Sequence, residues 1–100
     1  MSAEISDDEA RAREIALLEA CHEFPGEFSL SVIACNEEAV AAAVLAAASA
    51  GGEPPVAHQR QPSKEGKYVS HRLNVRCASA HEAHALRLRL RTLPGVVSVL

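Results

Sequence analysis

Polar and apolar residues alternate along the chain most regularly between residues 67 and 77. There Val69, His71, Leu73, Val75 and Cys77 fall on one side, and Tyr68, Ser70, Arg72, Asn74 and Arg76 on the other. A period of two over ten residues describes a strand with one buried and one polar face. A second alternation, Phe28, Leu30 and Val32 against Ser29, Ser31 and Ile33, predicts a strand over residues 27–34. A weaker strand is expected over Val56 to Gln61, at an edge because Pro54-Pro55 leads into it. The turn Pro62–Gly66 then joins it to the long strand as a hairpin.

Helical spacing fills the intervals. Ser6 with Glu9 three positions on fits a capping box, and Asp7 and Asp8 suit the positive end of a helix dipole. Ile15, Leu17, Leu18 and Cys21 make a short apolar patch, so a loosely docked helix is expected near residues 7–20, after a disordered tail. Asn36 is the expected N-cap of a second helix, with Glu37 and Glu38 in its first turn. That helix carries Val40 and Val44 on one stripe, runs to about Ala50 and stops at Gly51-Gly52. Ser79 with Glu82 opens a third, striped by Ala83, Leu86, Leu90 and Leu93. The run Leu86 to Arg91 also alternates with period two. Its Ala, Leu and Arg content and its cap favour helix over strand. Pro94-Gly95 ends it before a last strand, Val96 to Leu100.

After the N-terminal helix the order is β-α-β-β-α-β, the split βαβ or ferredoxin-like arrangement of the α+β class. It implies a four-stranded antiparallel sheet with two helices on one face, the two long strands central and the other face open. Residues 1–22 read as an acidic tail and helix, and residues 23–100 as the ferredoxin-like domain.

Composition sharpens this picture. One hundred residues suit one modest core. The chain is 48% hydrophobic but only 3% aromatic, so that core must be built from Ala, Val, Leu and Ile. Residues 1–53 carry a net charge of −9 and residues 54–100 carry +6, which gives the total of −3. A chain polarised in this way can present a basic face to an anionic partner, or simply neutralise itself on folding. Cys21, Cys35 and Cys77 form no CxxC pair, and the start MSAEISDDEA is acidic, so a reduced cytoplasmic protein is expected. No stretch approaches the ~20 apolar residues of a membrane span.

Phe24-Pro25 followed by Phe28, then Pro62-Ser63 with Gly66, Tyr68 and Ser70, then a terminal Val99-Leu100, resemble the YbeD-like family of small bacterial proteins. The resemblance covers roughly residues 22–100, and Pro62–Ser70 is its most specific part. It implies a ferredoxin-like fold similar to the ACT regulatory domain. By analogy of fold alone it also implies small-ligand sensing or regulatory pairing. Two departures bear on this: Glu65 stands where relatives commonly have lysine, and Ala34-Cys35-Asn36 lacks the glycine that amino-acid-binding ACT domains use.

The candidate chemistry is sparse. Tyr68, Ser70, Arg72, Asn74 and Arg76 should line the open face beside Ser29, Ser31 and Ile33, with Val97 and Val99 at the rim, while Lys64 and Lys67 at the hairpin would steer an acidic group. His71, Cys77, His81 and His84 do not have the paired spacing of a zinc site, so no metal and no cofactor is expected. Cys35 beside Asn36 at a helix start could be an activated thiol, but a small residue filling a tight loop is the preferred reading. With no carboxylate pair, phosphate loop or catalytic triad, an enzyme is not expected. The expected function is a non-enzymatic regulatory or adaptor domain, acting by protein–protein contact through the open face. The partner would be another protein or a second copy in a two-fold homodimer. An ACT-like small-metabolite sensor with its site at a dimer interface is the alternative. RNA binding is third, because the open face offers one aromatic, Tyr68, and the first half of the chain is acidic. No membrane partner is expected.

Overall fold

The computed structural model describes residues 6–49 and 52–100. In chain order the elements are α1 (Asp7–Cys21), β1 (Gly26–Cys35), α2 (Glu38–Ala48), β2 (Ala57–Pro62), β3 (Tyr68–Cys77), α3 (Ala80–Arg91) and β4 (Val96–Val99). The expected disordered tail and the Gly51 half of the expected helix stop lie outside the described residues. All four strands form one antiparallel sheet in the order β2-β3-β1-β4, so the two long strands are central. This order broadly fits the split βαβ arrangement.

The register explains which residues are dry. Phe28, Leu30, Val32 and Ala34 of β1 stand opposite Val75, Leu73, His71 and Val69 of β3, and all eight are buried. Their helix partners are Val40, Val44 and Ala48 from α2 and Ala80, Ala83, Leu86 and Leu90 from α3. Ala83 is fully buried; a side chain this small lets α3 approach the sheet closely. Residues 86–91 are helical, as the cap predicts. Ser79 Oγ accepts from the Glu82 amide at 3.3 Å, and Glu82 Oε2 accepts from the Ala78 amide at 2.7 Å.

Three local expectations are corrected. First, α1 is docked rather than loose. Ile15 and Leu18 are buried in the common core, and Glu14 Oε2 meets the buried His84 Nε2 at 2.8 Å. Each such aliphatic side chain contributes about 1.5–3 kcal/mol when taken out of water. Second, Asn36 does not cap α2. Its side-chain amide donates to the Gly66 carbonyl at 2.9 Å, its backbone N–H donates to Lys67 O at 3.1 Å, and α2 begins after Glu37 with no side-chain cap. A bond to the hairpin replaces the local one. Third, Val99 is not at the rim of the open face. The β1–β4 pairing shifts register between Ile33 and Ala34, which absorbs one residue of β4 and turns Val99 towards the helices beside Val32, where it is buried. Val97 is exposed.

Gly95 holds the end of this layer. It has φ +87°, and a Cβ built on it would lie 2.6 Å from Val40 Cγ2, so neither its backbone nor its space suits a side chain. Gly95→Ala is expected to destabilise the domain by about 1–3 kcal/mol, read as a lower urea midpoint at unchanged slope. Leu73→Asp would place an unpaired carboxylate at a position that is 1% exposed. It should abolish the cooperative thermal transition in circular dichroism, because a buried unpaired charge costs several kcal/mol, roughly. A soluble Leu73→Asp protein that melts cooperatively would contradict the register.

Candidate functional site

Strand alternation delivers the expected residues to one surface. Opposite Ser29, Ser31 and Ile33 of β1 stand Asn74, Arg72 and Ser70 of β3. On the far side of β3, Ala57, Gln59 and Gln61 of β2 face Asn74, Arg72 and Ser70. None of these is buried, and the helical residues of the core all pack on the opposite face. Ser29 Oγ donates to Asn74 Oδ1 at 2.8 Å, which fixes one polar pair near the centre. Arg72 and Arg76 are exposed, and neither joins an ion pair among the described residues. They lie four residues apart on one strand, roughly 13 Å. The acid nearest in register is Glu27, which pairs with Arg76.

The hairpin turn explains the Pro62–Ser70 run. Ser63 N–H donates to Tyr68 O at 2.8 Å, Ser63 Oγ accepts from the Tyr68 amide at 3.1 Å, and Gly66 N–H donates to Ser63 O at 2.9 Å. Gly66 takes φ +76°, a left-handed conformation that favours glycine. Lys64 and Lys67 project from this turn as exposed cations, and Lys67 Nζ sits 5.6 Å from the centroid of the Tyr68 ring. The seven expected site residues therefore form a strip along β3 and its turn.

The histidines and cysteines suspected of chemistry are separated. His71 is fully buried under the sheet and pairs with His58 of β2, Nδ1 to Nε2 at 3.0 Å, with the ring planes inclined by 15° and the centroids 5.2 Å apart. Burial depresses the pKa of both rings. At His58 the cation of Arg60 adds to this; at His71, His58 adds most after burial, followed by Arg60. His84 belongs to Glu14, and His81 is exposed on α3. Among the described residues no three His, Cys, Asp or Glu side chains converge to hold a metal ion. Cys35 ends β1 half-buried, its N–H donating to Gly95 O at 2.8 Å, and it is not at the start of a helix. Reasoning from the sequence did not single out His58. The signal is its shared side with Arg60 in β2, but its partner follows only from the strand register.

A cleft lies at the opposite end of β3 from the hairpin. This cleft of about 490 Å³ is lined by Ala48, Val75, Cys77 and Leu86, with Glu53, Arg76, Glu82 and Arg89 as its charged groups. The Cys77 thiol there is pushed up in pKa by burial and then by Glu82, against an opposing effect from Arg89, so it is a poor nucleophile. The cleft combines an apolar floor with fixed charge, which suits a small amphipathic ion. It draws on both the strand and helix patterns, and nothing in either pattern alone announced it.

No helix among the described residues is long and apolar enough to cross a membrane. No curated protein matches the chain. One family, described as Protein of unknown function (DUF493), matches residues 19–100, from the last turn of α1 through β4. It is the family to which the YbeD-like resemblance pointed, and the chain belongs to it.

Proposed function

We propose that this is a cytoplasmic, non-enzymatic regulatory or adaptor domain with a ferredoxin-like fold, which binds an acidic protein surface through the open face of its sheet. The observation that carries this reading is the set of cations on that face without acidic partners. Arg72 and Arg76 take no part in an ion pair among the described residues, and Lys64 and Lys67 extend the same strip at the hairpin. Arginine is enriched where proteins meet, and a flat, partly apolar surface around Ile33 and Tyr68 suits such a contact. The same face serves self-association in a two-fold dimer, for which Glu27 is the acid available opposite Arg76. The free thiols Cys21, Cys35 and Cys77 support a reducing compartment. RNA binding is less well supported, because Tyr68 is the aromatic that this face offers for stacking.

The ACT-like alternative keeps one specific observation in its favour, the cleft beside Arg89. A small amphipathic anion could be sensed there, its charge met by the guanidinium and its apolar part by Val75 and Leu86. This would be a site in a single chain rather than at a dimer interface.

The two readings separate in experiment. Protein captured on the immobilised domain should be retained by the parent and lost, by tenfold or more, from an Arg72→Glu variant that melts like the parent; Arg72 does not line the cleft. Sedimentation of both proteins reads self-association in the same way. If the Arg72→Glu variant retains everything the parent retains, the open face is not the contact surface. A saturable rise in melting temperature with one class of small anion, abolished by Arg89→Gln, would instead favour the sensor.

A further inference from the structure

Edge strand β2 is held to the sheet by very little besides its backbone ladder. Along AHQRQP, five of the six side chains are exposed and His58 alone is half-buried. Arg60 reaches Glu38 of α2 at 3.4 Å, but the Glu38 side chain is 91% exposed, so this ion pair contributes little. The side-chain fastening of β2 is therefore His58, bonded edge to edge to His71 at 3.0 Å with the ring planes within 15° of each other.

That bond tolerates a limited number of protons. Between His58 Nε2 and His71 Nδ1 one nitrogen must donate and the other accept, so at least one ring must be neutral. If both rings are charged, two donors face each other at the distance of a hydrogen bond, and Arg60, opposite His71 in register, adds a third cation. His71 cannot turn to another partner. It is fully buried, and its Nε2 has none among the described residues. The charged groups around the pair are Arg60 from β2 itself and Glu38 from α2, which is engaged with Arg60. Neither Leu73 nor Val69, the flanking covered-face positions of β3, is charged.

We propose that the His58–His71 pair is an acid-sensitive latch, which fastens β2 to β3 while at least one ring is neutral and releases the edge strand when both are protonated. The direction follows from proton linkage. Both rings in the folded protein titrate below their ordinary value of 6.5, chiefly through burial. Once β2 is released, His58 leaves the pair and binds its proton at the ordinary value, and the bond that limited His71 to a neutral partner is gone. The latch is thus complete above pH 6.5 and weakens as the pH falls from there through the depressed values. The release is local, because β1–β3 and the helix layer contain no member of the pair except His71. Opening uncovers the outer backbone groups of β3, an edge able to pair with another strand.

Native-state amide exchange of the whole protein at pH 7.5 and 5.5, corrected for the intrinsic pH dependence of exchange, tests this. The opening constant of the β2–β3 ladder amides should rise about tenfold or more over that interval, as one or more excluded protons require. Amides of the β1–β3 ladder around Leu30 and Leu73 should rise less than threefold. In a His58→Gln variant the β2 response should fall to half or less. This substitution is at a half-buried edge position. An equal rise in both ladders would show that acid opens the domain as a whole and would overturn the latch. So would a His58→Gln response equal to that of the parent, which would show that the effect does not need the pair. The comparison of two ladders within the parent stands even if the variant fails to fold.

Discussion

Ten residues of β1 lie against ten of β3, from Gly26 opposite Cys77 to Cys35 opposite Tyr68. The rest of the structure depends on that register. A slip of one residue would carry Phe28, Leu30 and Val32 to the wet face and bring Ser29 and Ser31 under the helices. The helix layer could not tolerate it, because its contact residues are mostly alanine, valine and leucine and offer no hydrogen bonds to buried hydroxyls. The polar open face is the complement of the same constraint. Whatever the domain binds there meets side chains selected by the alternation that builds the core.

Among the described residues the buried layer holds two polar side chains, and each has one partner on another element. His71 takes its partner from the edge strand, and His84 takes Glu14 from the N-terminal helix. A buried imidazole without such a partner would cost about 1–3 kcal/mol. Each pairing therefore ties a peripheral element, β2 or α1, to the central layer in addition to its apolar contacts. For α1 those contacts are Ile15 and Leu18; for β2 they are nearly lacking, so the histidine pair carries the larger share of its side-chain attachment.

Much of this was readable in the order of residues, and the reasons differ from element to element. The β3 alternation and the Ser79–Glu82 box are local signals, complete within a few residues, and both stand in the structure. The open-face strip follows directly from the first of them. Asn36 failed as a cap because a tertiary acceptor, Gly66 O, lies 30 residues away and competes for its amide. Val99 was assigned to the wrong face because a bulge leaves no mark in a run as uniform as VVSV. The docking of α1 could not be read because two buried residues, Ile15 and Leu18, in fifteen make too faint a stripe. The His58–His71 contact joins a weak strand to a strong one, and the pairing of strands is the long-range fact that a periodic pattern does not contain.

Tyr68 has one more consequence. It is the only tyrosine, and the chain has no tryptophan, so nearly all of the near-ultraviolet emission of the protein arises from one ring. That ring stands half-buried where the hairpin meets the open face, with the Lys67 ammonium 5.6 Å from its centroid. Displacing the lysine or covering the ring changes the surroundings of the single emitter. The molecule carries an intrinsic optical label on the surface by which a partner would approach.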